Sequence, residues 1–129
     1  MARLRAVLGL IAGVLIALSS VAHSVLGGKA QKAALAATNA SADVQLGLMI
    51  GWYFGGAAMA AFGAIALWTF WKRLRGAATP AFPVVVIGLI YLVSGAWAFT
   101  ATGTPFFIVV FIVPGLVLLA AASGGSTKA

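Results

Sequence analysis

The chain has 129 residues, 64% of them hydrophobic and only 7% charged, with a formal net charge of +7 and no cysteine. Soluble domains carry roughly a quarter charged residues, and a water-facing surface cannot be built from eight Lys/Arg and one Asp, so the expected surroundings are a lipid bilayer. The absent cysteine excludes disulfides and thiolate metal sites, and the basic residues sit in short clusters between apolar runs, a pattern of membrane topology and not of nucleic-acid binding.

A helix needs about 20 apolar residues to cross a bilayer. Four runs meet that need, at 4–26, 44–71, 82–101 and 105–122. Lipid offers no partner for open backbone groups, so uniformly apolar runs of this length fold as helices. The expected fold is all-α, a single four-helix integral membrane bundle with a mobile tail at 123–129.

The first run begins "MARLRAVLGLIAGVLIALSSVA", which also has the form of a secretory signal, with Ser20-x-Ala22 as a small-residue cleavage site. Cleavage there would expose His23 as an amine-plus-imidazole copper chelate. The apolar run continues through Val21, Val25 and Leu26, long enough to span, and favours a retained helix. Gly27-Gly28 are expected to stop it in the left-handed conformation. "KAQKAALAATNA" follows and has the composition of a short surface helix.

Ser41 is placed to cap the second helix, with Asp43 in its first turn where a negative charge suits the helix dipole. Lys72, Arg73 and Arg75 close it and Gly76 follows. Pro80 and Pro83 mark entry to the third helix, and Thr104-Pro105 reads as a cap followed by proline at the first helical position. Pro114 lies inside the fourth helix, where it frees a carbonyl and predicts a kink.

Four crossings put both termini and the 72–81 loop on one side, with Arg3, Arg5, Lys72, Arg73, Arg75 and Lys128. The other side holds Lys29 and Lys32, offset by Asp43. By the positive-inside bias both termini are expected in the cytoplasm. Trp68, Phe70 and Trp71 form an aromatic belt at the inner interface.

Small residues at four-residue spacing mark helix packing in lipid, because dispersion contacts replace the missing hydrophobic drive. The first helix offers Gly9, Gly13 and Ala17. The second offers Gly47, Gly51 and Gly55, with Gly56, Ala60 and Ala64 on a neighbouring stripe, and the third adds Ser94, Gly95 and Ala98. The stripes serve packing of the first two helices on each other, or a face for self-association.

Chemistry-bearing residues are few. His23, Ser19, Ser20, Asp43 and Gln45, with Thr100, Thr102 and Thr104, are all expected near one outer rim. An imidazole beside a carboxylate there suits proton sensing or the orienting of a small ligand. The structural alternative asks for less: a histidine bonding the last open carbonyls of a helix, and an Asp that caps one. One His and one Asp do not make a metal site. Haem or chlorophyll ligation needs one His and stays open, so the cofactor is unknown. Tyr53, Tyr91 and Ser94 near the midplane, with Trp52, could hold a quinone-like molecule or simply pack. No paired carboxylates, Ser-His-Asp spacing or phosphate-cradling glycine motif points to an enzyme.

"AHSVLGGKAQKAAL", followed by the run from "VQLGLMIGWYF", resembles small uncharacterised four-helix bacterial membrane proteins in which a His-Ser-x-Leu-Gly stretch closes the first helix and a Trp-bearing helix comes after a basic or Leu-rich loop. The resemblance covers residues 1–60. It departs at Gly28, where an acidic residue often stands, and at Gly51-Trp52-Tyr53, where Trp-His is the pattern. It implies the fold and a membrane location but no activity. The expected role is a non-enzymatic accessory or assembly subunit whose partners are the bilayer and other membrane proteins or itself. The alternative is a small-molecule or ion binder using a His23/Asp43 rim.

Overall fold

The computed structural model describes residues 1–123 and is all-helical over them. Four helices run antiparallel in sequence: α1 Ala2–Ala36, α2 Ala42–Leu74, α3 Phe82–Thr102 and α4 Ile108–Ala122. The first three are long and apolar enough to cross a membrane, and α4 is a shorter apolar helix. The expected mobile tail lies, from residue 124 on, outside the described residues.

α2 and α3 stop where glycine adopts a left-handed backbone. Gly76 has φ 83°. Its N–H bonds Arg73 O and the next N–H, of Ala77, reaches back to Lys72 O, closing α2 in a Schellman motif. Gly103, at φ 67°, ends α3 with a bond from its N–H to Phe99 O at 2.7 Å. Ser41 caps α2 through its side chain, which accepts from Val44 N–H, and Asp43 sits in the first turn.

Gly27-Gly28 do not stop α1, which corrects the sequence expectation. Both are right-handed helical, at φ −62° and −61°, and the helix runs on to Ala36. The good helix formers of "KAQKAALA" let the helix continue. The glycines serve close approach instead. A methyl at Gly27 would lie 2.8 Å from Trp52 Cζ2, and one at Gly28 would lie 3.1 Å from the Tyr53 hydroxyl.

α1 and α2 form one long hairpin. Gly9 takes the Phe70 ring, Gly13 faces Leu67, and Gly63 abuts the Ala17 backbone, where a methyl would sit 2.8 Å from Ala17 N. α3 and α4 cross glycine to glycine, since a methyl on Gly115 would lie 2.9 Å from Gly88 O. Ala12, Ile16, Ala66, Phe70, Val84, Ile87, Tyr91 and Leu118 from all four helices make one core. Pro114 is buried, and the deformation it demands takes the form of a π turn over Ile108–Ile112, just before it. Proline brings no N–H and crowds the carbonyl four residues back, and a wider turn accommodates both.

The 33 residues of α2 extend about 50 Å, against about 31 Å for the 21 of α3. Phe62 of α2 meets Tyr91 of α3 edge-on. From that level α2 continues for some 20 residues to its start and α3 for only 11 to its end, so the tip of the α1–α2 hairpin overhangs the α3–α4 pair by roughly 14 Å.

Candidate functional site

His23 opens a second π turn, His23–Gly27, within α1. Single π turns inside α-helices carry one residue too many for the regular ladder, and they recur at functional sites. This one aims His23 at α2. The imidazole lies flat on the Trp52 indole, with ring centroids 4.2 Å apart and planes 7° from parallel. Its Nε2 lies 3.1 Å from Trp52 O. A carbonyl can only accept, so Nε2 carries the hydrogen and the neutral ring keeps its lone pair on Nδ1. In return Trp52 Nε1–H donates to His23 O at 2.9 Å. Each residue therefore holds the other's backbone, and Gly27 supplies the space for the indole.

The other rim residues do not join this pair. Asp43 lies nine residues before Trp52 on α2, about 13 Å away along the axis, and is exposed. Ser20 is buried and donates to Ala17 O in its own helix at 2.7 Å. Ser19 is half-buried, and Gln45 donates to Ala40 O at 3.0 Å, tying the connection between α1 and α2. Thr100 and Thr102 bond carbonyls of their own helix, Trp97 O and Ala98 O, and Thr102 accepts from Thr104 N–H. Among the described residues no three His, Cys, Asp or Glu side chains come together as metal ligands.

The glycine stripes divide by role. Gly9 and Gly13 pack α1 on α2 as expected. Gly55 borders His23 Nε2 at 3.5 Å, counted from a methyl in its place. Gly47 and Gly51 have nothing within 4 Å, so the expected packing of α1 against them is not formed. The α2 contact runs instead through Gly56, against Ser24, and Gly63. Near the hairpin tip, Lys32, Leu35, Gln45, Leu46, Met49 and Tyr53 line an open groove of about 320 Å³.

Compared with known proteins, the chain matches no family model, no curated sequence and no solved structure. What the sequence did not reveal is Trp52 as the partner of His23. A signal was present: the Gly27-Gly28 pair and the Trp52-Tyr53 pair are complementary in size, and each glycine accepts one ring of the opposite helix.

Proposed function

We propose that this chain is a non-enzymatic accessory or assembly subunit of a bacterial inner-membrane complex, crossing the bilayer four times with both termini in the cytoplasm. α4 with the turn at 105–107 extends about 27 Å, close to the hydrocarbon thickness. The concentration of basic residues at the α1 start and α2 end supports the orientation. One observation carries the functional reading. Gly47 and Gly51 face open space, on the same side of α2 as the exposed Ile50 and Phe54. A strip of bare backbone flanked by large apolar side chains suits close approach of another transmembrane helix. The tie between His23 and Trp52 agrees with a structural role for the only histidine.

Native mass spectrometry from mild detergent tests this. A second subunit or a second copy is expected with the wild-type chain and is lost in Gly51→Leu, a change that meets no internal neighbour. A bare monomer under every mild condition would sink the reading. A reporter fused after Lys128 is expected to be active only in the cytoplasm.

A second reading, a binder of a small amphiphile, is favoured by the groove at the hairpin tip, where Lys32, Gln45 and Tyr53 offer polar groups beside Leu35, Leu46 and Met49. It uses Gln45 from the expected rim and not the His23/Asp43 pair.

A further inference from the structure

The end of α2 and its C-cap carry a face that pairs exposed indoles with exposed cations. Trp68, Trp71, Lys72 and Arg75 recur at helical three- and four-residue spacing, and all four are exposed. Their neighbours Ala66, Thr69 and Phe70 point into the bundle. Lys72 Nζ stands 4.9 Å from the centre of the Trp68 ring, and the Arg75 guanidinium stands 5.1 Å from that of Trp71. Each cation is thus steadied over an indole one turn before it, and among the described residues its donors meet no acceptor. Positions 72 and 75 lie about 4.5 Å apart along the axis, so their long side chains can converge on one phosphodiester. The contact of Gly9 with Phe70 brings the first turn of α1, with Arg3 and Arg5, to the same end. The chain's single acidic side chain, Asp43, opens α2 at the opposite end, so no side-chain carboxylate competes for these cations.

We propose that the Trp68–Trp71–Lys72–Arg75 face binds the headgroup of an anionic glycerophospholipid. The indoles lie at the depth of the ester linkages, where amphipathic rings favour the interface. The ammonium and guanidinium reach the phosphate, and Arg75 can offer it two parallel N–H donors. A zwitterionic headgroup presents the same phosphate with a compensating cation, which Lys72 and Arg75 repel, so the site discriminates by net charge. Arg73 takes no part, because its guanidinium is turned inward onto Thr79 and Ala121.

The test is native mass spectrometry of the full chain from non-ionic detergent micelles holding equal amounts of phosphatidylglycerol and phosphatidylcholine. Retention of phosphatidylglycerol about fivefold over phosphatidylcholine is expected, the share of one Lys or Arg at an anionic surface. Lys72→Gln with Arg75→Gln removes the preference, while Lys29→Glu, an equal change of net charge at the other end, leaves it. Trp68→Leu with Trp71→Leu lowers it in part. All these side chains are exposed, and a circular dichroism melt verifies that the variants fold. Equal retention of both lipids by the wild type overturns the proposal, as does an equal fall in both charge variants, which would mark a net-charge effect. Addition of millimolar glycerol 1-phosphate is expected to leave the lipid adducts intact. Their displacement would assign the cations to a free phosphate and refute the lipid.

Discussion

His23 and Trp52 grip each other's backbones: Nε2–H of one donates to the carbonyl of the other, the indole N–H returns the bond, and the two rings stack between them. The pair bridges α1 and α2 at a point where α1 has departed from the regular α-helix. A π turn weakens the ladder of its own helix, and here the carbonyl at its start finds a partner in the facing one. His23→Ala leaves Trp52 O with one partner fewer and opens a gap beside the indole, while the bond from Trp52 Nε1–H to the carbonyl of residue 23 stays. A loss of about 1–3 kcal/mol is expected. His23→Phe keeps the stack and forfeits only the bond, so it should fall between. A double-mutant cycle with Trp52→Phe, read from unfolding in micelles, is expected to give a coupling near 1 kcal/mol. Additive losses would show that the two bonds do not act together.

The glycines sort into two groups by what a methyl would meet. At Gly63 it would meet Ala17 N at 2.8 Å, and at Gly27 the Trp52 ring at 2.8 Å, neither of which can retreat without parting the helices. Alanine at either position should cost about 1–3 kcal/mol by overpacking. At Gly47 and Gly51 the methyl meets nothing. Alanine there should be neutral or stabilise the isolated chain by up to about 1 kcal/mol, through helix propensity. Thermal midpoints of the four single variants, measured under one detergent condition, check the division. Destabilisation by Gly51→Ala in the monomer would show that this surface is already filled.

The helices themselves were legible because long apolar runs leave the backbone no alternative in lipid. Glycine was harder to read, because one residue type answers three different demands. At 76 and 103 it takes a left-handed turn, at 27, 28 and 63 it yields room to a neighbour, and at 47 and 51 it does neither within this chain. Sequence spacing alone does not separate these, since the register of α1 on α2 is decided by which large ring meets which glycine. α1 runs on through Gly27-Gly28 to Ala36, so His23 meets Trp52 within α2 and not the start of that helix, where Asp43 lies about 13 Å from Trp52 along the axis. The Ser41 cap and the basic close of α2 were readable, because each depends only on adjacent residues.

Tyr91 is buried to 2% exposure, wedged between Phe62 and Phe111, and its hydroxyl has no hydrogen-bond partner among the described residues. A buried hydroxyl without a partner costs about 1–3 kcal/mol. Tyr91→Phe retains the ring contacts and removes that cost, so the thermal midpoint should stay level or rise. Tyr91→Leu gives up the aromatic packing and should cost about 1–3 kcal/mol of stability. A clear drop for Tyr91→Phe would mean that the hydroxyl does have an acceptor, and a search for a bound small molecule would follow.

Arg73 works differently from the two cations beside it. Its Nε–H donates to Thr79 Oγ1 at 2.8 Å, a second nitrogen reaches Thr79 O at 3.3 Å, and the third reaches Ala121 O at 3.5 Å. The planar group also lies 5.3 Å from the Phe70 ring, itself pressed against Gly9. One side chain thus joins the end of α2, the connection to α3 and the last turn of α4, whose carbonyls lack helical partners. Lysine cannot reproduce this, because a single ammonium has no rigid set of divergent donors. Arg73→Lys is expected to cost about 1 kcal/mol and Arg73→Gln about 2 kcal/mol, given the usual worth of charge-assisted bonds and partial exposure. Lys72→Gln, which loses only an exposed cation–ring contact, should change stability by less than about 1 kcal/mol. Unfolding midpoints for the three variants, compared at low and high salt, decide the matter. Equal effects at positions 72 and 73 would mean that the inward bonds of Arg73 add nothing beyond its charge.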